Sequence, residues 1–499
     1  MLETLSTVAS HVFSIYGLAL MFLGSLIGVT VGALPGLSAT MAVAVLVPIT
    51  FNMPTDYAMM MLLGVYGGAM FGGSISAILV NVPGTPAAVM TSLDGYPMAQ
   101  RGEGSRAIGF AIVASFFGGI FSSIVCLAAA PLLALVALKF AAPEYFALAV
   151  FGLTGVATGT SKGSFKGIAA VFLGLFIALI GLDPMTGVDR FSFDNPELMS
   201  GVSFIPVMIG LYGVGEILIQ IHKGKYGEIR AQQIKGTLPT WKEIKNLKGL
   251  LLRSSIMGTS IGALPGEGAT VASFLAYNDA RQMSKHPEKF GTGIPEGIVS
   301  CESANNSVVG GSLIPTLTLG IPGSGTMAVL MGAFMMHNIM PGPMLFKDHP
   351  ALVYAIFISL FVNNFFMLFI GLFGARFFAR LVTISQPMLM PIIVVLCIIG
   401  SFAISNTLFN VVVMVIMGII GYFMRLLDIP IAPAVLGVVL GPLAEVSLRR
   451  SLLMSKGSLA IFIERPGSLI VLILTVIYLC WPYISKKLFA KPVEDNVQI

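Results

Sequence analysis

The residues with chemical potential in this 499-residue chain border two Pro-Gly-containing motifs that recur in the same order. Gly32-Ala33-Leu34-Pro35-Gly36 returns as Gly262-Ala263-Leu264-Pro265-Gly266. Downstream of each, a double glycine (Gly72-Gly73-Ser74; Gly310-Gly311-Ser312) leads to a second break, at Pro83-Gly84 and Pro322-Gly323. A proline inside a helix removes a backbone donor and disrupts the turn before it, so each motif predicts an interrupted helix. Freed amides at half-helix starts carry partial positive charge and suit a carboxylate. Ser38, Thr40, Ser74, Asn81 and Thr85 stand around the first pair of breaks, and Ser312, Thr318, Ser324 and Thr326 around the second. These side chains offer oxygens to a substrate or a small cation. The expected substrate-binding set is Pro35, Gly36, Ser38, Thr40, Asn81, Pro83, Gly84, Thr85 and Pro86 in the first half. In the second it is Pro265, Gly266, Asn305, Asn306, Pro322, Gly323, Ser324, Gly325 and Thr326. The competing reading is that glycine and proline merely permit close packing or kinks between membrane helices; repetition in order, each time beside hydroxyl or amide side chains, favours binding.

Glu302, Asn305 and Asn306 open the apolar stretch Val308–Leu319. A carboxylate at bilayer depth costs about 2.5–3.5 kcal/mol even on the lenient insertion scale. Coupling to a cation or proton is therefore the functional reading, with Glu302, Asn305, Ser74 and Ser312 as the expected coupling-ion set; a helix cap at an aqueous interface is the alternative. Glu267, in Leu-Pro-Gly-Glu-Gly, is comparable. Asp94, Arg101, Glu103 and Arg106 read as a solvated interface or a subunit contact. The histidines His11, His222, His286, His337 and His349 are scattered, which points to neither a metal cluster nor a catalytic dyad. Cys126, Cys301, Cys397 and Cys480 lie apart and read as packing residues. No G-x-x-x-x-G-K-[ST] phosphate loop occurs, which argues against ATP hydrolysis by this chain. The expectation is a carrier rather than an enzyme, with no cofactor beyond a coupling Na+ or H+ and no nucleic-acid partner.

What must position these residues is a set of membrane helices. Hydrophobic residues make up 56% of the chain and charged residues 10%, so lipid rather than water must cover most of the surface. Runs such as Ala107–Leu138, Gly163–Leu182, Val353–Phe373 and Leu389–Ile404 reach or approach the roughly 20 residues that cross a bilayer core. Continuous runs of this length are helices and not the alternating strands of a membrane barrel. The fold class is all-α integral membrane, with about 10–12 spans expected in two inverted repeats containing broken helices or re-entrant hairpins. Met1–His11 lacks a basic n-region and no cleavage site follows, so no removable signal peptide is expected.

Residues 1–221 read as a first repeat, 222–253 as a basic linker, 254–446 as a second repeat, and 447–499 as a loop, an extra span and a tail. The linker carries Lys223, Lys225, Arg230, Lys235, Lys242, Lys245, Lys248 and Arg253 against Glu228 and Glu243, which makes it cytoplasmic by the positive-inside rule. The start lacks Lys and Arg, which predicts an N-terminus outside, an odd number of crossings in the first half and hence opposite orientations for the halves. Arg449, Arg450 and Lys456 fit this count only if 429–446 re-enters without crossing.

The sequence resembles the TctA family, the large membrane subunit of tripartite tricarboxylate transporters. The resemblance is carried by Gly-Ala-Leu-Pro-Gly-Leu (32–37), Asn-Val-Pro-Gly-Thr-Pro-Ala-Ala (81–88), Asp-Gly-Tyr-Pro-Met-Ala (94–99) and Arg-Phe-Ser-Phe (190–193). It continues through Phe-Gly-Thr-Gly-Ile-Pro-Glu-Gly (290–297), Glu-Ser-Ala-Asn-Asn (302–306), Leu-Gly-Ile-Pro-Gly-Ser (319–324) and Pro-Gly-Pro-Met-Leu-Phe (341–346). Cys301 departs from the Ala or Pro of that pattern. The resemblance implies a subunit of the bacterial inner membrane working with a small four-span membrane subunit (TctB-like) and a periplasmic solute-binding protein (TctC-like). It implies import of a tricarboxylate such as citrate, or a related acid, by symport with an ion, and likeness to other inverted-repeat carriers implies an elevator-like motion. Moving a charge against the membrane potential costs about 2.3 kcal/mol per 100 mV. A trianion thus needs more than three accompanying cations before the potential assists it. Competing readings are a TRAP-type carrier subunit, against which Pro-Gly-Thr-Pro and Glu-Ser-Ala-Asn-Asn speak, an intramembrane enzyme acting on lipids, and a passive channel.

Overall fold

The computed structural model describes residues 8–159, 164–224, 237–266, 268–384 and 386–489. Glu267, Lys162, the linker charges Lys225, Glu228, Arg230 and Lys235, and the tail 490–499 lie outside the described residues. The architecture is all-α. Among the described residues the one sheet is a two-stranded ribbon, β1 (Gly181–Leu182) paired antiparallel with β2 (Asp189–Arg190). Seven helices are individually long and apolar enough to cross a membrane, and five shorter apolar helices accompany them. Two of the shorter ones, Ala39–Thr50 and Gly325–Met336, follow Pro-Gly breaks that cut the apolar sequence into pieces too short to span about 30 Å.

In the first half, α1 (Ile15–Ala33) starts at Ser14, whose hydroxyl accepts the Gly17 N–H at 2.9 Å. The chain breaks at Leu34-Pro35-Gly36, Gly36 taking the left-handed φ of 85°, and restarts as α2 (Ala39–Leu46), capped by Ser38 and continued by a tight turn Val47–Thr50. Next come α3 (Thr55–Val80), α4 (Val89–Gln100), α5 (Gly104–Ala137), α6 (Ala142–Gly159), α7 (Ser164–Ala178) and α8 (Phe204–Lys223). In the second half, α9 (Trp241–Asn246) carries a Thr240/Glu243 capping box. It is followed by α10 (Lys248–Gly262), α11 (Gly268–Met283), α12 (Pro295–Leu319), α13 (Gly325–Met336) and α14 (Pro343–Asp348). Then come α15 (Pro350–Leu381), α16 (Gln386–Ala403), α17 (Leu408–Leu426), α18 (Ile431–Met454) and α19 (Pro466–Phe489). Helix α10 begins inside the segment read as linker, and α18 runs without interruption across the expected boundary at 446.

Three close glycine contacts recur at matching positions of the two halves. A Cβ on Gly28 would lie 2.3 Å from the Val65 carbonyl oxygen, and one on Gly258 2.2 Å from that of Ala304. Gly32 meets Ala69 as Gly262 meets Val308, and Gly72 meets Val29 as Gly311 meets Thr259. Small residues let backbones approach closely where lipid offers no hydrophobic drive for helix association. The order of the contacts gives directions. Pairs 24–61, 28–65 and 32–69 advance together, so α1 and α3 are parallel, and the pairs 258–304 and 262–308 make α10 and α12 parallel too. Asn363 beside Gly64 and Gly371 beside Phe71 run α15 parallel to α3; Gly118 beside Ser303 and Ser122 beside Gly310 run α5 parallel to α12. Gly119 meets Asn364 while Ile112 meets Gly371, so α5 and α15 are antiparallel. Helices α3 and α12 therefore run in opposite directions.

The segment 429–446 does not re-enter as a separate hairpin. Helix α18 is one 24-residue rod, long and apolar enough to cross. Arg449 on it bonds Asp183 at 2.7 Å, and Arg190 bonds both Asp183 and Glu445.

Candidate functional site

A cavity of about 640 Å³ lies where the breaks of the two halves meet. The first half contributes Ser38 and Thr40 at the start of α2 and Thr85 and Pro86 after α3; the second contributes Thr270 on α11 and Ser324, Gly325 and Thr326 at the start of α13. The halves touch directly: Thr40 and Thr326 hydroxyls are 2.8 Å apart, and the Tyr66 hydroxyl is 3.2 Å from Ser324 Oγ. The helix starts are ordered by matching caps. Ser38 Oγ accepts the Met41 N–H and Ser324 Oγ accepts the Met327 N–H, each at 3.2 Å. Thr85 Oγ1 is buried on this lining and bonds no described residue. Hydroxyls and N-terminal half-helix dipoles together make a wall that attracts an anion.

None of the remaining residues of the expected substrate set lines the cavity: Asn305 and Asn306 sit in the body of α12, and the others lie at the breaks. Gly84 sits where a Cβ would fall 1.9 Å from the Gly32 carbonyl oxygen, and Gly323 where one would fall 2.4 Å from that of Gly262. Asn81 ends α3 in the left-handed conformation and is exposed, a role Gly320 fills at the end of α12. The carbonyl of Gly36 accepts from Gln220 on α8 at 2.7 Å, and Gly266 takes a φ of 148°. Pro35, Pro83, Pro265 and Pro322 stand in the non-helical segments between half-helices.

Glu302 lies in the body of α12, fully buried, rather than at an aqueous cap. Its carboxylate accepts from Thr91 Oγ1 at 2.6 Å and Ser115 Oγ at 3.1 Å. Asn306 donates to Ser115 at 2.8 Å. Asn305 donates to the Met70 carbonyl at 3.2 Å, while its own Oδ1 is buried with no described partner. Ser74 and Ser312 bond one turn back, to Phe71 and Val309, and are not among the described partners of Glu302. The described part of the coupling set thus separates into a Glu302 cluster between α4, α5 and α12 and two serines on the packing seams.

Asp94 differs from its expected place on a solvated interface. It is wholly buried: Oδ1 accepts the amides of Gly291, Gly293 and Ile294 at 2.8–3.0 Å and Oδ2 accepts the Tyr277 hydroxyl at 2.9 Å. It thereby anchors the loop that opens α12. Arg101 donates to the carbonyls of Thr292 and Gly293 in that loop, and Arg106 pairs with Glu243. Cys480 is exposed, unlike the other three cysteines.

Sequence reasoning missed Tyr66, Thr270, Tyr212, Glu216 and Arg425 on the cavity wall. Thr270 was reachable, since it stands to Thr40 as Pro265 stands to Pro35. Tyr212 was not: it sits in a π-helical stretch of α8, Ile209–Val214, which no residue type announces.

No solved structure matches this chain. It is 39% identical over 446 residues, 89% of each chain, to an uncharacterised 52.8 kDa protein of Agrobacterium vitis in the TAR-I ttuC′ 3′ region. It is 38% identical over 242 residues to an uncharacterised protein of the same organism in the TAR-II ttuC′ 3′ region, covering 48% of this chain and all of that one. Residues 18–436 match the tripartite tricarboxylate transporter TctA family and take in both sets of breaks and the cavity between them, so this multi-pass membrane chain belongs to that family of transporters.

Proposed function

We propose that the chain is the conducting subunit of a three-part secondary carrier that imports a small carboxylate, together with cations, across the bacterial inner membrane. The observation that carries this reading is the cavity built jointly from the breaks of both halves, walled by hydroxyls and paired half-helix starts. The antiparallel course of α3 and α12, with their matching seams, supports a pair of inverted repeats around that site. Two such halves give a carrier two related states, one open to each side. The N-terminus faces the periplasm in this scheme, and a TctB-like subunit and a TctC-like binding protein complete the system. Glu302 and Asn305 hold the coupling proton or Na+, since the buried Glu302 carboxylate meets neutral donors, Thr91 and Ser115 among them, and Asn305 Oδ1 is buried with no described partner.

The test is uptake into proteoliposomes containing both membrane subunits, with the binding protein outside and either a Na+ or a proton gradient imposed. Labelled citrate, succinate, tartrate and acetate form the panel. Uptake that needs the binding protein and collapses with one of the gradients is the expected result. Uptake indifferent to both makes the chain a passive pore.

A further inference from the structure

The cavity's second wall carries charge. Arg425, in the last turn of α17, and Glu216 on α8 both line it, and the Arg425 Nε bonds Glu216 Oε2 at 3.0 Å. The guanidinium is held in one orientation: Nη1 donates to the Leu211 carbonyl at 2.8 Å and to that of Gly421 at 3.2 Å. Leu211 belongs to the π-helical stretch of α8, where the widened turn leaves carbonyls available to outside donors. Glu216 is tied in turn to the first half's break, because Gln220 donates to Glu216 Oε1 at 3.1 Å and to the Gly36 carbonyl at 2.7 Å. The side chains of Arg425 and Glu216 are 18% and 27% exposed, enough for a solute to reach them from the cavity.

We propose that Arg425 determines specificity by receiving a second carboxylate of the substrate, and that Glu216 is the resident carboxylate occupying it when the cavity is empty. This rests on the carrier reading above. An acid with one carboxylate satisfies the hydroxyl wall alone; an acid with two or three spans from that wall to Arg425. An arginine locked by two carbonyls presents its remaining donors as a fork, which matches a carboxylate better than a lysine does. Glu216 keeps the guanidinium paired in the empty state, so the charge need not stand uncompensated in a partly dry site. Displacement of Glu216 also loosens the Gln220 link to Gly36, which connects substrate arrival to the Leu-Pro-Gly break.

The experiment uses the reconstituted three-part system, with labelled succinate and citrate and competition by acetate. Four variants are compared: Arg425→Gln, Arg425→Lys, Glu216→Gln and the charge swap Arg425→Glu/Glu216→Arg. Thermal unfolding in detergent is measured for each. R425Q is expected to raise KM for succinate and citrate by about tenfold or more and R425K to raise it nearly as much, with acetate competition unchanged. E216Q, which removes the resident competitor, is expected to lower KM. The swap restores the pair, and with it thermal stability, but not transport. A swap variant that takes up succinate with wild-type KM overturns the proposal, because Arg425 then serves only as a partner for Glu216. If R425Q does not fold, E216Q decides: an unchanged KM overturns the proposal. A wild-type protein that carries acetate alone also overturns it while leaving the carrier reading intact, whereas a wild-type protein that carries no acid sinks that reading itself.

Discussion

At the scale of single residues, the buried acids divide by the donors they meet. Asp94 accepts three backbone amides and a tyrosine hydroxyl, a set that fixes the loop before α12 and has no part that must change during transport. Glu302 meets two hydroxyls, which can turn and accept as readily as donate. A site that accommodates both states of a carboxyl is suited to taking up and releasing a cation. Glutamine at 302 mimics the neutral state and keeps the size. In E302Q, gradient-driven net uptake should fall to the level of empty vesicles, while exchange of labelled for unlabelled substrate, which moves no net cation, should persist. Asn305→Ala removes the unpartnered Oδ1 and should lower gradient-driven uptake without loss of membrane insertion. Wild-type net uptake in both variants would remove this cluster from the coupling site. Glu302 was legible because a carboxylate in an apolar run is expensive wherever it sits. Asp94 was not, because its burial depends on a loop at 291–294 that the local sequence Asp94-Gly95-Tyr96-Pro97 cannot reveal.

At the scale of elements, the proline breaks were readable because loss of a backbone donor is a local property, whereas the π-helical turn of α8 and the seam of glycines against carbonyls depend on what packs opposite. Those seams make a prediction about the breaks. A Cβ at Gly84 or Gly323 meets a backbone oxygen that cannot swing aside, while one at Gly67, in the body of α3, meets nothing within 4 Å. Gly84→Ala and Gly323→Ala should each cost about 1–3 kcal/mol or more, seen as a lowered unfolding temperature in detergent. Gly67→Ala should unfold near the wild-type temperature; equal losses at all three positions would contradict the seam. The β-ribbon is fastened to α18 by Asp183, whose carboxyl Arg449 holds far below the usual carboxylate range, with help from the Met185 amide and Arg190. A depressed folded-state value means the pairing contributes fully above the unfolded carboxylate range near pH 4 and fades as pH falls below it. Between pH 7 and 5 the Asp183→Asn variant should therefore unfold at a constant deficit to wild type, and the deficit should shrink below about pH 4. A deficit that grows on acidification would show that Asp183 is not held ionised by Arg449.

At the scale of the whole molecule, composition alone was enough for a lipid-embedded helical protein, and the ordered repetition of two motifs was enough to expect their convergence. The facing wall was not legible, because Arg425 and Glu216 lie 209 residues apart and neither stands beside a Pro-Gly break. Only the packing of α8 against α17 puts the pair on the cavity. The architecture then makes a claim about motion. Thr40 belongs to the first half and Thr326 to the second, and their hydroxyls are 2.8 Å apart across the cavity. If transport requires the halves to change their relation at this site, joining those two positions must stop it, since a covalent tie removes one of the two states. Cysteines at both positions, in a protein whose four native cysteines have been replaced, should close under mild oxidation. Uptake of labelled succinate should then fall to background and return on reduction to the level of the reduced double variant, while oxidant leaves each single cysteine variant at its own reduced level. The bound acid should still protect the oxidised protein against heat, because the tie fixes the cavity in its present form without filling it. Undiminished uptake by the cross-linked protein would mean that the substrate passes a fixed cavity, and that the opposed directions of α3 and α12 serve packing alone.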